Sequence, residues 1–126
     1  MDTKNILVCV TQQKTCERLI KKAHELLNDY KGDLFVINVV KNDVNFLDSA
    51  SESEALEYLF NISKNIGANL TVLKSDNIAG TIAKYADENH IGCVILGKSP
   101  SENKEKHFVK ELKTLLKNEV DMKILS

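Results

Sequence analysis

No pair of cysteines in this sequence has the spacing of a redox motif or a metal site. Cys9, Cys16 and Cys93 are odd in number and form no CxxC, which argues against a disulfide framework and against zinc. Long hydrophobic runs are also missing: none approaches the roughly 20 residues that a bilayer span needs. The first residues, MDTKNILVCV, lack the basic-then-apolar shape of a signal peptide. A cytoplasmic chain without membrane insertion is expected. Neither sign of charge prevails, with 17 basic against 18 acidic side chains, so nothing global draws the chain toward nucleic acid or an anionic surface. Any anion site must be local. Proline is limited to Pro100, and there is no Pro-rich linker, internal repeat or low-complexity tract. With 43% hydrophobic residues, residues 1–126 are expected to form a single domain around one core.

What is present is an alternation of short apolar runs and helix-period segments, in the order βαβαβαβαβ. Residues 6–10 (ILVCV) form a continuous apolar run, as expected of a strand buried on both faces of a parallel sheet. From Cys16 an apolar stripe at i, i+3, i+4 and i+7 marks an amphipathic helix, with Thr15 as its cap and Gly32 as a left-handed exit. Residues 34–40 (LFVINVV) are rich in β-branched side chains and make a second strand. After a polar link, residues 41–50, Ser51 and Glu54 have capping-box spacing. They open a helix with Leu56, Leu59, Phe60 and Ile66 on its inner face, ended by Gly67. Residues 70–73 give a third strand, Asp76 or Asn77 caps a helix holding Ile78, Ile82, Ala83 and Ala86, and residues 93–96 give a fourth strand. The last helix carries Phe108, Val109, Leu112, Leu115 and Leu116, before a final strand over residues 122–125. Strands joined by single helices must run parallel, so the expected fold is an open three-layer α/β/α sandwich.

In such a sheet ligands bind beyond the carboxyl ends of the strands, where strand order reverses. The loop that stands out is residues 97–106, because Gly97, Lys98 and Ser99 follow an apolar strand directly. A missing Cβ there would let a ligand approach the backbone, and a lysine and a hydroxyl would follow it. The same residues equally suit a strand-ending turn with a solvated lysine. The loop is not a Walker loop, since Gly92 to Gly97 encloses a strand. If it holds phosphate, Lys98→Ala should weaken binding, and Gly97→Val should abolish it without unfolding the domain. Lys98, Lys104, Lys106, His107 and Lys110 are diluted by Glu102, Glu105 and Glu111, which favours a solvated helix face.

Other chemistries lack their parts. Receiver-type phosphorylation at Asp76 would need an acidic pair after the first strand to hold magnesium, and the chain offers Thr11, Gln12 and Gln13. Flavin binding of the flavodoxin kind would want a glycine in residues 11–15, and none is there. His24, His90 and His107 are at no strand's carboxyl end, so no catalytic constellation converges. No enzymatic activity and no metal site are expected.

The segments ILVCVTQQKTCERLI and IAKYADENHIGCVILGKS resemble the universal stress protein domain, and most closely its version in Kdp-type potassium-sensing histidine kinases. The resemblance runs from Ile6 to Leu125. It implies a five-stranded parallel sheet of order 3-2-1-4-5, a Rossmann-like fold of the adenine nucleotide alpha hydrolase kind, with the switch point between the first and fourth strands. It also implies a nucleotide site built from Val10, Thr11, Gln12, Val39, Gly97, Lys98 and Ser99. In nucleotide-binding members an aspartate follows the first strand, and a G-x-x-G-x9-G-S/T pattern holds ribose and phosphates. Here the aspartate is Thr11, the second glycine is Pro100, and the last pair is Lys110 and Glu111. Pro100 has no amide hydrogen to donate, and Glu111 places negative charge where the family has a hydroxyl.

The resemblance therefore implies a regulatory module for ATP, AMP or cyclic di-AMP in stress, potassium or osmotic signalling. The alternative is a ligand-free dimerisation or docking module that has lost the ATP site. It further implies a homodimer through the edge strand of Val120, Met122 and Ile124, and a sensor-kinase or other signalling partner.

Overall fold

The computed structural model describes residues 5–10, 16–27, 32–40, 50–97, 102–116 and 120–125. The elements run β1 (Asn5–Cys9), α1 (Cys16–Leu27), β2 (Leu34–Val40), α2 (Ala50–Ile66), β3 (Asn69–Lys74), α3 (Ile78–Glu88), β4 (Ile91–Gly97), α4 (Glu102–Leu115) and β5 (Asp121–Leu125). All strand pairs are parallel, in the order β3-β2-β1-β4-β5. Central β1 is buried from Ile6 to Cys9, with Ile6, Leu7 and Val8 at zero exposure, as its unbroken apolar run requires.

Side chains alternate across the sheet and so build two cores. On one face Ile6, Val8, Val10, Val36 and Ile95 pack under Leu19, Ile20 and Ala23 of α1 and Leu59 of α2. On the other, Leu7, Cys9, Ile37, Val39, Val94 and Leu96 pack under Ala79, Ile82 and Ala86 of α3 and Leu112 of α4. Tyr85 ties α3 to the sheet: its ring meets Phe35 edge-on at 6.2 Å, and its hydroxyl lies 3.0 Å from Thr71 Oγ1. On the opposite face the Tyr58 hydroxyl of α2 donates to Glu17 of α1. Lys21 Nζ lies 2.8 Å from the same carboxylate. Lys21 and then Tyr58 hold that carboxyl below its ordinary pKa.

Local rules account for the helix ends. Gly67, at φ 82°, closes α2 in a Schellman arrangement: its N–H donates to Lys64 O at 3.1 Å, and Ala68 N–H donates to Ser63 O at 2.8 Å. Asn77 is the cap of α3, its side chain accepting from Gly80 N–H at 3.1 Å. At the amino ends of the strands Asn5 acts as a clamp, donating to Asn89 O at 2.9 Å and accepting from Asp33 N–H at 3.0 Å.

Two expectations need correction. Helix α2 starts at Ala50, so Ser51 lies inside it and is not the cap. Phe60 is 54% exposed, so it does not face the core, and Leu115 of α4 is likewise 49% exposed. Phe60 is two residues from Tyr58, which puts it on the flank of α2 away from α1. The Thr15 cap falls outside the described residues. So does the turn leading to Gly32, because α1 is described to Leu27.

His90, which follows α3 and precedes β4, has φ 54°. A side chain with a Cβ is strained in that left-handed conformation by about 1 kcal/mol or more, and no such strain arises for glycine. His90→Gly is therefore expected to stabilise the protein by about 0.5–1 kcal/mol. A raised urea midpoint with an unchanged slope would show this. A lowered midpoint would mean that the imidazole holds the turn.

Candidate functional site: the crevice at the carboxyl ends of β1 and β4

The chain winds from β1 outward through β2 to β3, then returns past β1 to add β4 and β5 on its other side. α1, which follows β1, and α4, which follows β4, lie on opposite faces of the sheet, and in sheets of this kind the ligand crevice falls beyond the carboxyl ends of such a strand pair. Cys9 is paired with both Ile37 and Leu96. The next residue of each strand falls on one line across the sheet, giving Asn38, Val10 and Gly97 side by side at the crevice floor.

Two of the sequence-predicted residues found there are core residues. Val10 is 2% exposed on the α1/α2 face, and its N–H is already donated to Ile37 O at 2.9 Å. Val39 is 6% exposed on the α3/α4 face. Val10 and Val39 thus line the crevice from opposite faces of the sheet.

Gly97 ends β4 for a reason that the sequence did not reveal. A Cβ at this position would lie 2.7 Å from Leu19 Cδ1, so the glycine lets α1 settle on the sheet. A valine at Gly97 would therefore require Leu19 to move, a packing cost to be separated from any effect on binding. Thr11, Gln12, Lys98 and Ser99, the other predicted site residues, lie outside the described residues, as does Pro100.

The strand β4 contains Gly92, so the stretch from Gly92 to Gly97 is extended backbone and not a phosphate loop. Only residues 98–101 separate β4 from α4. Lys110 and Glu111, which match the end of the family's phosphate pattern, are consequently deep inside α4, and both are exposed. A long glycine-rich loop does not fit between these two elements. The amino end of α4, where a helix carries partial positive charge, follows β4 after only residues 98–101.

Asn38 was missed by sequence reasoning. It is 2% exposed, and its Nδ2 has no hydrogen-bond partner. Alternation with Ile37 and Val39 puts its side chain on the α1/α2 face, the face of Val10. A buried donor left without a partner costs about 1–3 kcal/mol. The signal available was a lone carboxamide in the apolar run LFVINVV. Ser63, on α2, is likewise buried with an unpartnered Oγ.

The Cys9 thiol, at the end of β1, is not poised as a nucleophile. Burial pushes the Cys9 thiol far above its ordinary pKa, which keeps it protonated. His90 is exposed at the amino end of β4, away from the crevice. Among the described residues no cluster of His, Cys, Asp and Glu could hold a metal ion, and no helix is long and apolar enough to cross a membrane.

No protein-family model matches the chain, and no curated protein sequence does. Solved structures do. A universal stress protein from Archaeoglobus fulgidus in complex with dAMP superposes with a TM-score of 0.68 at 16% identity, covering 100% of both chains. A universal stress protein in complex with cAMP gives 0.68 at 13% identity, over 99% of this chain and 98% of the other. One from Lactobacillus plantarum gives 0.55 at 18% identity, over 99% and 97%. With its five parallel strands in the order 3-2-1-4-5 and helices on both faces, the chain has the fold of the universal stress proteins.

Proposed function

We propose that this chain is a universal stress protein-like regulatory module that binds an adenine nucleotide in the crevice between β1 and β4 and catalyses no reaction. The observation that carries the reading is the reversal of strand order at that point, with Val10 and Gly97 level at the crevice floor. Support comes from two neighbours of the same fold, solved with dAMP and with cAMP. The resemblance to the domain of Kdp-type sensor kinases, through VILGKS and ILVCV, extends the reading to cytoplasmic potassium or osmotic signalling with a sensor kinase as partner.

The short connection of residues 98–101 argues for a ligand with few phosphates. AMP or cyclic di-AMP suits it better than ATP, whose phosphate tail would want the missing glycine loop. Assembly is read from β5. That strand is paired with β4 on one side only, Val120 and Met122 are half-buried, and Ile124 is 44% exposed. A homodimer through this edge would cover Ile124 and complete the hydrogen bonding of the strand.

The test is thermal stability of the purified protein with AMP, ATP and cyclic di-AMP. A ligand at 100 times its dissociation constant adds about 2.7 kcal/mol to the native state. The expected result is a clear shift with AMP or cyclic di-AMP and a smaller one with ATP. The second reading, a ligand-free docking module, is favoured by the packing role of Gly97 against Leu19. No shift with any of the three nucleotides would decide for it.

A further inference from the structure

We infer that Asn38 reads the base of the bound nucleotide, its carboxamide pairing with the 6-amino group of adenine and a ring nitrogen beside it. The inference rests on the nucleotide reading of the same crevice and adds a residue that would contact the base. Three observations converge on it. Register places Asn38 level with Val10 and Gly97, one strand from the switch point. Its Nδ2 is buried and has no partner among the protein's own groups. All the other side chains of β2 are apolar, Leu34, Phe35, Val36, Ile37, Val39 and Val40, so the carboxamide is the one group on this strand able to form a directional contact.

The chemistry selects the ligand class. A carboxamide offers one donor and one acceptor side by side. Adenine offers the complementary pair, an amino donor next to a ring nitrogen acceptor, and asparagine engages that edge with two hydrogen bonds. Guanine presents two acceptors at its N7 edge, where only one bond could form, whereas at its N1 edge it offers an acceptor beside a donor, so pairing through N7 is what would discriminate against it. A polar group kept buried without a partner in the free protein is what a site looks like when its ligand supplies the missing atom.

The test uses the full chain and nucleotide analogues, with binding read by calorimetry. AMP is compared with 7-deaza-AMP and 1-deaza-AMP, which each replace one ring nitrogen beside the amino group with carbon. The inference expects one of the two to bind at least tenfold more weakly than AMP. It also expects Asn38→Leu, close in volume and without a donor, to bind AMP at least tenfold more weakly, to lose the difference between AMP and that analogue, and to melt higher than the unchanged protein when free. Both analogues binding like AMP would overturn it. So would Asn38→Leu binding AMP unchanged, or melting lower when free, since the amide would then be a satisfied structural group. If the unchanged protein binds no AMP at all, the nucleotide reading itself fails, and that outcome is distinct from AMP binding that ignores Asn38.

Discussion

Gly97→Val is expected to destabilise the protein by about 1–3 kcal/mol, the usual cost of forcing extra methyl groups into a packed core. The cause is specific. The first carbon of any side chain at Gly97 would sit 2.7 Å from Leu19 Cδ1, and Leu19 is itself 6% exposed, with little room to move away. Leu19→Ala alone should cost about 2–5 kcal/mol through the cavity it leaves. The double variant should be more stable than the sum of the two predicts, because the valine fills part of that cavity. A coupling of about 0.5–3 kcal/mol from urea denaturation of all four proteins would establish the contact. Strict additivity would show that Gly97 does not pack against α1. This cycle also decides how any loss of ligand in Gly97→Val is read, since a protein with α1 displaced would lose the crevice whatever its backbone amides do.

The second large effect concerns α4. Leu112, at zero exposure, is the chief anchor between this helix and the sheet, helped by Phe108 and Val109, which are partly buried, and by Leu116 beyond the helix end. Leu112→Ala should cost about 2–5 kcal/mol. Leu115, three residues on and 49% exposed, provides the contrast: Leu115→Ala should stay within about 0.5 kcal/mol of the unchanged protein. Equal effects of the two substitutions in a denaturant titration would refute this orientation of α4.

The order of elements was legible because each strand is a short apolar run and each helix carries a periodic stripe. Residues 34–40 were placed to the residue, and β1, β3, β4 and β5 to within two at either end. Periodicity was less informative about which apolar side chains reach the core. Phe60 and Leu115 satisfy a helical stripe as well as their neighbours do, but each lies on the flank of its helix, and a helix over one or two strands buries only a narrow arc. The strand order came from the family resemblance and agrees with the observed sheet.

Less of the site could be read. Gly97 was singled out for a ligand, whereas the contact the structure shows for it is with Leu19, far away in sequence. A local motif holds no trace of that contact. Asn38 was passed over because one polar residue hardly alters the apolar character of LFVINVV, and its significance appears only when burial and partners are known. The outward placement of Glu111 likewise follows from where α4 begins, which the glycine spacing of the resemblance could not supply.

The central position of β1 also sets the order in which the molecule can be made. β1, β2 and β3 with α1 and α2 are contained in the stretch up to Lys74, and neighbouring strands there pair across one helix each. β4 pairs back to β1 over a much longer span, a contact whose loop-closure entropy slows its formation. On a ribosome the three-stranded half would emerge first, with one face covered by α1 and α2 and the other, including Leu7, Cys9, Ile37 and Val39, still open to water. The crevice is the seam between this early half and the late one. A nucleotide bound across it would hold together the two parts of the chain that meet last.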